Sequence, residues 1–186
     1  NKGEMPPNIT GEARIAHSDW FSFDLYAKFN GSWNGNITTD RWFVIEFMDT
    51  DCPYCWRDAE MMSQIDAQFG GVIITIVVAT ELNIAGHESS RKEIEAFQDK
   101  TDFEGCYTGN RNCADRPGDI HQGSNGNLFY YVEDLPGKAL SEWNLQGTPT
   151  CFLLKPNGLV AFNSAQDGGC EQLGVKLYEI FGSGGN

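Results

Sequence analysis

The sequence predicts an α/β domain: a central mixed β-sheet flanked by helices, with an N-terminal strand extension and an inserted loop. Three observations carry this expectation. Residues 42–48, Trp-Phe-Val-Ile-Glu-Phe-Met, are almost unbroken apolar sequence rich in aromatic and β-branched types, the pattern of a central strand buried on both faces. From Pro53 onward Ala59, Met62, Ile65 and Phe69 recur at spacings of three and four, an amphipathic helix that stops at Gly70-Gly71, and residues 72–78 are a second buried strand. Strand, helix and strand in that order imply a right-handed parallel crossover. Last, residues 150–155 and 158–162 are apolar runs on either side of Pro156-Asn157-Gly158, a hairpin that makes the sheet mixed.

The other elements follow in order. Residues 1–19 are polar and irregular and read as a flexible lead-in. Residues 20–26 mix aromatic and polar types at partial period two, a strand, and the Asn/Gly cluster 30–36 is a turn. Ser90-Arg91-Lys92-Glu93 has capping-box spacing and opens a helix that buries Ile94 and Phe97 and fades near Lys100. Residues 101–127 hold Gly, Asn and Asp with two cysteines and no periodicity, an inserted loop. Residues 128–132 return to strand chemistry, and 138–143 form a short helix. Gly168-Gly169 precedes a last amphipathic helix carrying Leu173, Leu177 and Ile180, and 182–186 are a tail. One domain over 20–181 therefore accounts for nearly all of the 186 residues.

Composition narrows the function classes. Thirteen Lys and Arg against 26 Asp and Glu leave a formal charge of -13, which disfavours nucleic acid and an anionic membrane surface as partners. With 40% hydrophobic residues the chain can bury a core. No apolar run is long enough to span a bilayer and no basic-then-apolar leader opens the sequence, so the chain is expected to be cytosolic, or else mature or trimmed from an anchor. Six cysteines and three glycosylation-type triplets, at Asn8, Asn30 and Asn36, lean toward an exported protein.

The chemistry concentrates at Cys52-Pro53-Tyr54-Cys55, where a buried strand hands over to a helix. Three-residue spacing across the first helical turn puts the two sulfurs within disulfide reach. Cys52 would sit at the helix N-terminus, where unpaired amides and the helix dipole stabilise a thiolate, which makes it the nucleophile. Cys55, one turn inside, would resolve a mixed disulfide on Cys52. Pro53 suits the first helical position because its missing N–H has no partner there. The same letters could be half of a metal site or a structural disulfide, but Cys106 and Cys113, with six residues between them, do not complete a zinc set.

Gly147-Thr148-Pro149-Thr150 directly precedes the hairpin, and a proline there needs an edge, a strand start or a special turn. With this motif in place, the order of strand, CxxC, helix, strand, helix, strand, Thr-Pro-Thr, hairpin and helix resembles the thioredoxin superfamily. Within it the chain is most similar, over residues 20–181, to the extracytoplasmic thiol-disulfide oxidoreductases of the TlpA/ResA type. The resemblance implies a thioredoxin-like fold, a cis proline at Pro149 beside the cysteines, and a Thr148 backbone that receives an extended substrate next to Pro53 and Tyr54. It also implies partners that are protein disulfides or dithiols and an upstream redox protein, a monomer placed outside the cytoplasm (periplasmic, secreted or membrane-anchored), and no cofactor or metal. The Pro53-Tyr54 pair matches the glutaredoxin motif, which raises glutathione, but the chain is longer than a glutaredoxin.

Glu46, six residues before Cys52 in an apolar strand, is read two ways: as a buried acid of raised pKa, similar in role to the superfamily's proton acceptor for the resolving cysteine, or as a solvent-facing residue at a strand end. Asp49 and Asp51 would oppose a Cys52 thiolate unless solvated. Arg57 could hold that thiolate or lie in solvent. Cys106 and Cys113 are expected to form a disulfide stapling the inserted loop. Cys151 is a buried small hydrophobe or a partner of Cys170. His17, His87 and His121 are read as surface residues. The rival reading is a copper-binding metallochaperone on the same scaffold, using the cysteine pair with a distant histidine such as His121.

Overall fold

The protein is described here by a computed structural model covering residues 1–123 and 127–183. Its elements are β1 (Thr10–Arg14), β2 (Phe21–Asp24), β3 (Trp42–Met48), α1 (Pro53–Phe69), β4 (Ile73–Thr80), α2 (Arg91–Asp99), β5 (Glu104–Cys106), β6 (Arg111–Asn112), β7 (Phe129–Asp134), α3 (Lys138–Glu142), β8 (Thr150–Leu154), β9 (Val160–Asn163), α4 (Ser164–Asp167) and α5 (Leu173–Phe181). Seven strands form one sheet in the order β2-β1-β7-β4-β3-β8-β9. β3 is parallel to β4, with Trp42 opposite Ile73, and β4 is parallel to β7; β8 runs antiparallel to β3, with Cys151 opposite Glu46.

All seven residues of β3 are buried, so its alternation divides the core in two. On one face the even positions pack: Trp42, Val44 and Met48 join Ala59, Met62, Ile65 and Phe69 of α1, Phe97 of α2 and Leu177 of α5. Phe43, Ile45 and Phe47 join Phe23, Tyr130, Ala139 of α3 and Trp143 on the opposite face. By the same alternation Glu46 points to the α1 side, beneath the cysteine pair.

Two expectations are corrected. Residues 1–19 are not a loose lead-in: β1 pairs with both β2 and β7, and Ile9 and Ala13 are buried. Its polar letters concealed it because its anchor is an ion pair, with Arg14 donating to both carboxylate oxygens of Asp99 on α2 at 2.9 Å. Residues 101–127 are not wholly irregular either, since β5 and β6 form a small hairpin there. The Cys106–Cys113 disulfide closes that hairpin, and a second disulfide, Cys151–Cys170, ties β8 to the segment before α5. Tail residues 184–186 lie outside the described residues.

Candidate active site

β3 ends at Met48, and the chain then turns so that Cys52 becomes the N-cap of α1 with extended backbone (φ -73°, ψ 121°) and Pro53 occupies the first helical position. This local geometry aims an unpaired amide at sulfur: the Cys55 N–H donates to Cys52 Sγ at 3.3 Å. The Thr148–Pro149 peptide is cis, and the Thr148 carbonyl oxygen lies 3.6 Å from Cys52 Sγ. The motif and the Thr-Pro turn, 96 residues apart in sequence, thus meet at one sulfur. Both cysteines are free thiols, Cys52 3% and Cys55 1% exposed.

The two sulfurs are driven apart electrostatically. The Cys52 thiol is brought down to about 6, first by a hydrogen bond from the Cys55 side chain, with further lowering by Thr148 and the amides of Cys55 and Tyr54, against the opposing effect of burial. Cys55 is pushed well above the ordinary thiol value by burial and by the charges of Cys52 and Glu46. At neutral pH one sulfur is a thiolate and the other its hydrogen-bond donor.

Glu46 is 3% exposed, which removes its solvent-facing reading. Desolvation raises its pKa well above the usual carboxylate value, with Asp58 and Cys52 adding to the rise and Arg116 opposing it. Its Oε2 has no hydrogen-bond partner among the described residues. Arg116, from the inserted segment, is fully buried and donates to the backbone oxygens of Phe97, Pro117, Gln98 and Asp119, so its charge reaches Glu46 only through space. Arg57 is exposed and lies over the Tyr54 ring, 4.6 Å from its centroid.

Asp49 and Asp51 are fully buried, so bulk water does not screen them. Asp49 accepts from the Asp51 and Leu82 amides at 2.9 and 2.8 Å, and Asp51 pairs with His87 Nδ1 at 2.6 Å. Hydrogen bonds thus replace water around them. The inserted hairpin leans on the same corner: the Tyr107 N–H donates to the Thr50 carbonyl at 3.2 Å, and its ring packs edge-on against Trp56. Neither this wall nor Arg116 was legible in sequence, because both depend on a remote segment folding back.

His121 is buried rather than at the surface, at 1% exposure. Its Nε2 must donate to the Ala59 carbonyl at 2.8 Å, since a carbonyl only accepts, and its Nδ1 then accepts from the Tyr131 hydroxyl at 2.7 Å. Both nitrogens are committed, so the copper reading loses its histidine. Beside the cis turn an open groove runs along Leu145, Gly147, Thr148, Pro149 and Gly169.

No family model matches the chain, and no curated protein matches it in sequence. Solved structures do match in shape. The thioredoxin domain of a thiol-disulfide oxidoreductase from Bacteroides vulgatus superposes with a TM-score of 0.59 at 13% identity, covering 97% of this chain and 97% of that one. A thiol:disulfide interchange protein DsbE from Chlorobium tepidum gives 0.55 at 15%, covering 95% and 96%. The mitochondrial 2-Cys peroxiredoxin of Plasmodium falciparum gives 0.58 at 12%, covering 98% of both. The fold is thioredoxin-like: a central mixed sheet with helices on both faces.

Proposed function

We propose that the protein is a thiol-disulfide oxidoreductase acting on other polypeptides outside the cytoplasm, of the TlpA/ResA type within its superfamily. The observation that carries this is Cys52 Sγ at the start of α1, within 3.3 Å of the Cys55 amide and 3.6 Å of the Thr148 carbonyl oxygen. Two disulfides away from this pair suit an oxidising compartment.

The Cys52 thiolate attacks one sulfur of a substrate disulfide; a Cys52–substrate bond forms, the substrate disulfide breaks, and the departing sulfur takes a proton. With its negative charge spent, Cys52 no longer opposes ionisation of Cys55. The Cys55 thiol gives its proton to the Glu46 carboxylate, a stronger base than an ordinary carboxylate because burial raises its pKa. Cys55 then attacks Cys52 Sγ, closing the Cys52–Cys55 disulfide and releasing the second substrate thiol. The substrate gains two electrons and the protein loses two, which an upstream dithiol restores. Because Cys52 is nearly covered, the substrate sulfur has to arrive on an extended strand lying against Thr148, Pro149 and the exposed Tyr54. No step calls on a cofactor.

The test is insulin-disulfide reduction with purified protein and dithiothreitol. Cys52→Ser is expected to abolish turnover and Cys55→Ser to accumulate mixed disulfides on Cys52. Undiminished turnover in Cys52→Ser refutes the proposal.

A further inference from the structure

A second cluster of chemistry lies next to Cys52 in the chain, and the redox reading does not use it. Asp51 from the β3–α1 turn, His87 from the loop after β4 and Glu93 from the first turn of α2 place one donor atom each within 4.8 Å of one another. Asp49, Asp51 and Glu81 form an overlapping trio with the same spacing, sharing Asp51. An ion held at about 2.0 to 2.4 Å by two ligands separates them by no more than about 4.8 Å, so each trio has the spacing that one ion can bridge.

Two independent features say that this is more than crowded acids. First, Asp51 is fully buried, and its Oδ1 is an acceptor with no hydrogen-bond partner among the described residues. The oxygens beside it are provided for: Asp49 takes two backbone amides, Glu81 accepts from the Asn83 and Ser89 amides, and Thr50 donates to Glu93 Oε1 at 2.8 Å. Second, four carboxylates converge and, among the described residues, no Lys or Arg pairs with any of them; the one basic side chain paired there is the His87 imidazole. Buried charge of one sign needs protons or a cation to neutralise it.

We propose that Asp51, His87 and Glu93 form a binding site for a divalent transition-metal cation of the zinc class, with Asp49 and Glu81 as outer carboxylates. One imidazole with two carboxylates matches such an ion better than the all-oxygen sets of calcium or magnesium. Ser89 Oγ, 3.1 Å from Asp51 Oδ2 and 3.2 Å from Asp49 Oδ1, is placed to orient both acids. The ion would take the place of the proton between His87 and Asp51, and since all three ligands must be deprotonated to hold it, protons shared among them are released on binding. It would also pin the turn that carries Cys52 to α2 and to the loop bearing His87.

Cysteine thiolates are zinc ligands in general, so the experiment uses Cys52→Ser/Cys55→Ser protein to keep the pair out of the measurement. Its outcome is then independent of whether the oxidoreductase reading stands. Zinc chloride is titrated by calorimetry in two buffers of different ionisation enthalpy. The expected result is one saturable equivalent with proton release, and a rise in Tm of roughly 5 to 10 °C at free zinc about a hundredfold above Kd. Glu93→Gln and, independently, the half-buried His87→Ala should each weaken binding by at least about tenfold. Absence of saturable binding, or binding unchanged in folded His87→Ala and Glu93→Gln proteins, overturns the site.

Discussion

Two sets of buried acids precede Cys52 in the chain, and they are buried by different means. Glu46 lies on the α1 side of β3 among apolar side chains, with one carboxylate oxygen unpartnered and its nearest compensating cation, Arg116, acting at a distance. Three to five residues further on, Asp49 and Asp51 are just as buried, but in a nest of amides, hydroxyls and an imidazole. Desolvation raises Glu46 well above the ordinary carboxylate value. In the cluster the same repulsion settles on Glu93, raised to about 9 by burial and then by Asp51, although Thr50 opposes it. Burial alone does not say what an acid does: Glu46 is coupled electrostatically to the two cysteines, whereas Glu93 is coupled to other acids.

Glu46→Ala should break the comparison most severely. Resolution of the mixed disulfide by Cys55 is expected to slow by about a hundredfold, while attack by Cys52 changes little; stopped-flow separation of the two steps checks this. Equal slowing of both would remove the proton-acceptor role. The next largest effect is on stability against pH. Glu93 has a folded pKa near 9 against an ordinary value near 4.5, so the folded state holds a proton that the unfolded state releases. Its contribution is fully present below pH ~4.5 and is lost as pH rises toward 9. Glu93→Gln should therefore flatten the fall in unfolding free energy between pH 5 and 9 in denaturant melts, and an unchanged slope would place the proton elsewhere.

Cys52 has the opposite sign. Its folded pKa of about 6 lies below the ordinary thiol value, so its contribution to the reduced protein is present above pH ~8.5 and lost as pH falls through 6. Alkylation by iodoacetamide should titrate with a midpoint near 6 at Cys52, with Cys55 unlabelled at neutral pH. Cleaving the hairpin staple with Cys106→Ala/Cys113→Ala, a separation of seven residues, should cost about 2 to 3 kcal/mol and loosen Tyr107 from the Thr50 carbonyl. Arg57→Ala serves as the smallest case. Its guanidinium only covers the exposed Tyr54 ring, and turnover should change by less than about twofold.

Periodicity alone placed the two central strands, the crossover helix and the terminal hairpin to within a few residues, because each is wholly apolar on at least one face. It missed β1, whose exposed Thr10–Glu12 stretch gives no apolar signal and whose hold on the fold is the Arg14–Asp99 pair, 85 residues apart. It also misplaced His121, since nothing local shows that Tyr131 and Ala59 will enclose a ring.

One part of the polarity of the cysteine pair belongs to the sequence. A cysteine followed by proline at a helix start receives the amide three residues on, whatever else the chain does, because that contact is internal to one turn. What the acids become belongs to tertiary structure. Whether Glu46, Asp51 and Glu93 meet water, sulfur, protons or a cation is decided by segments 36 to 43 residues away and by an inserted hairpin folding across them. Solvation and charge coupling depend on everything within several ångströms, and no run of neighbouring letters records that.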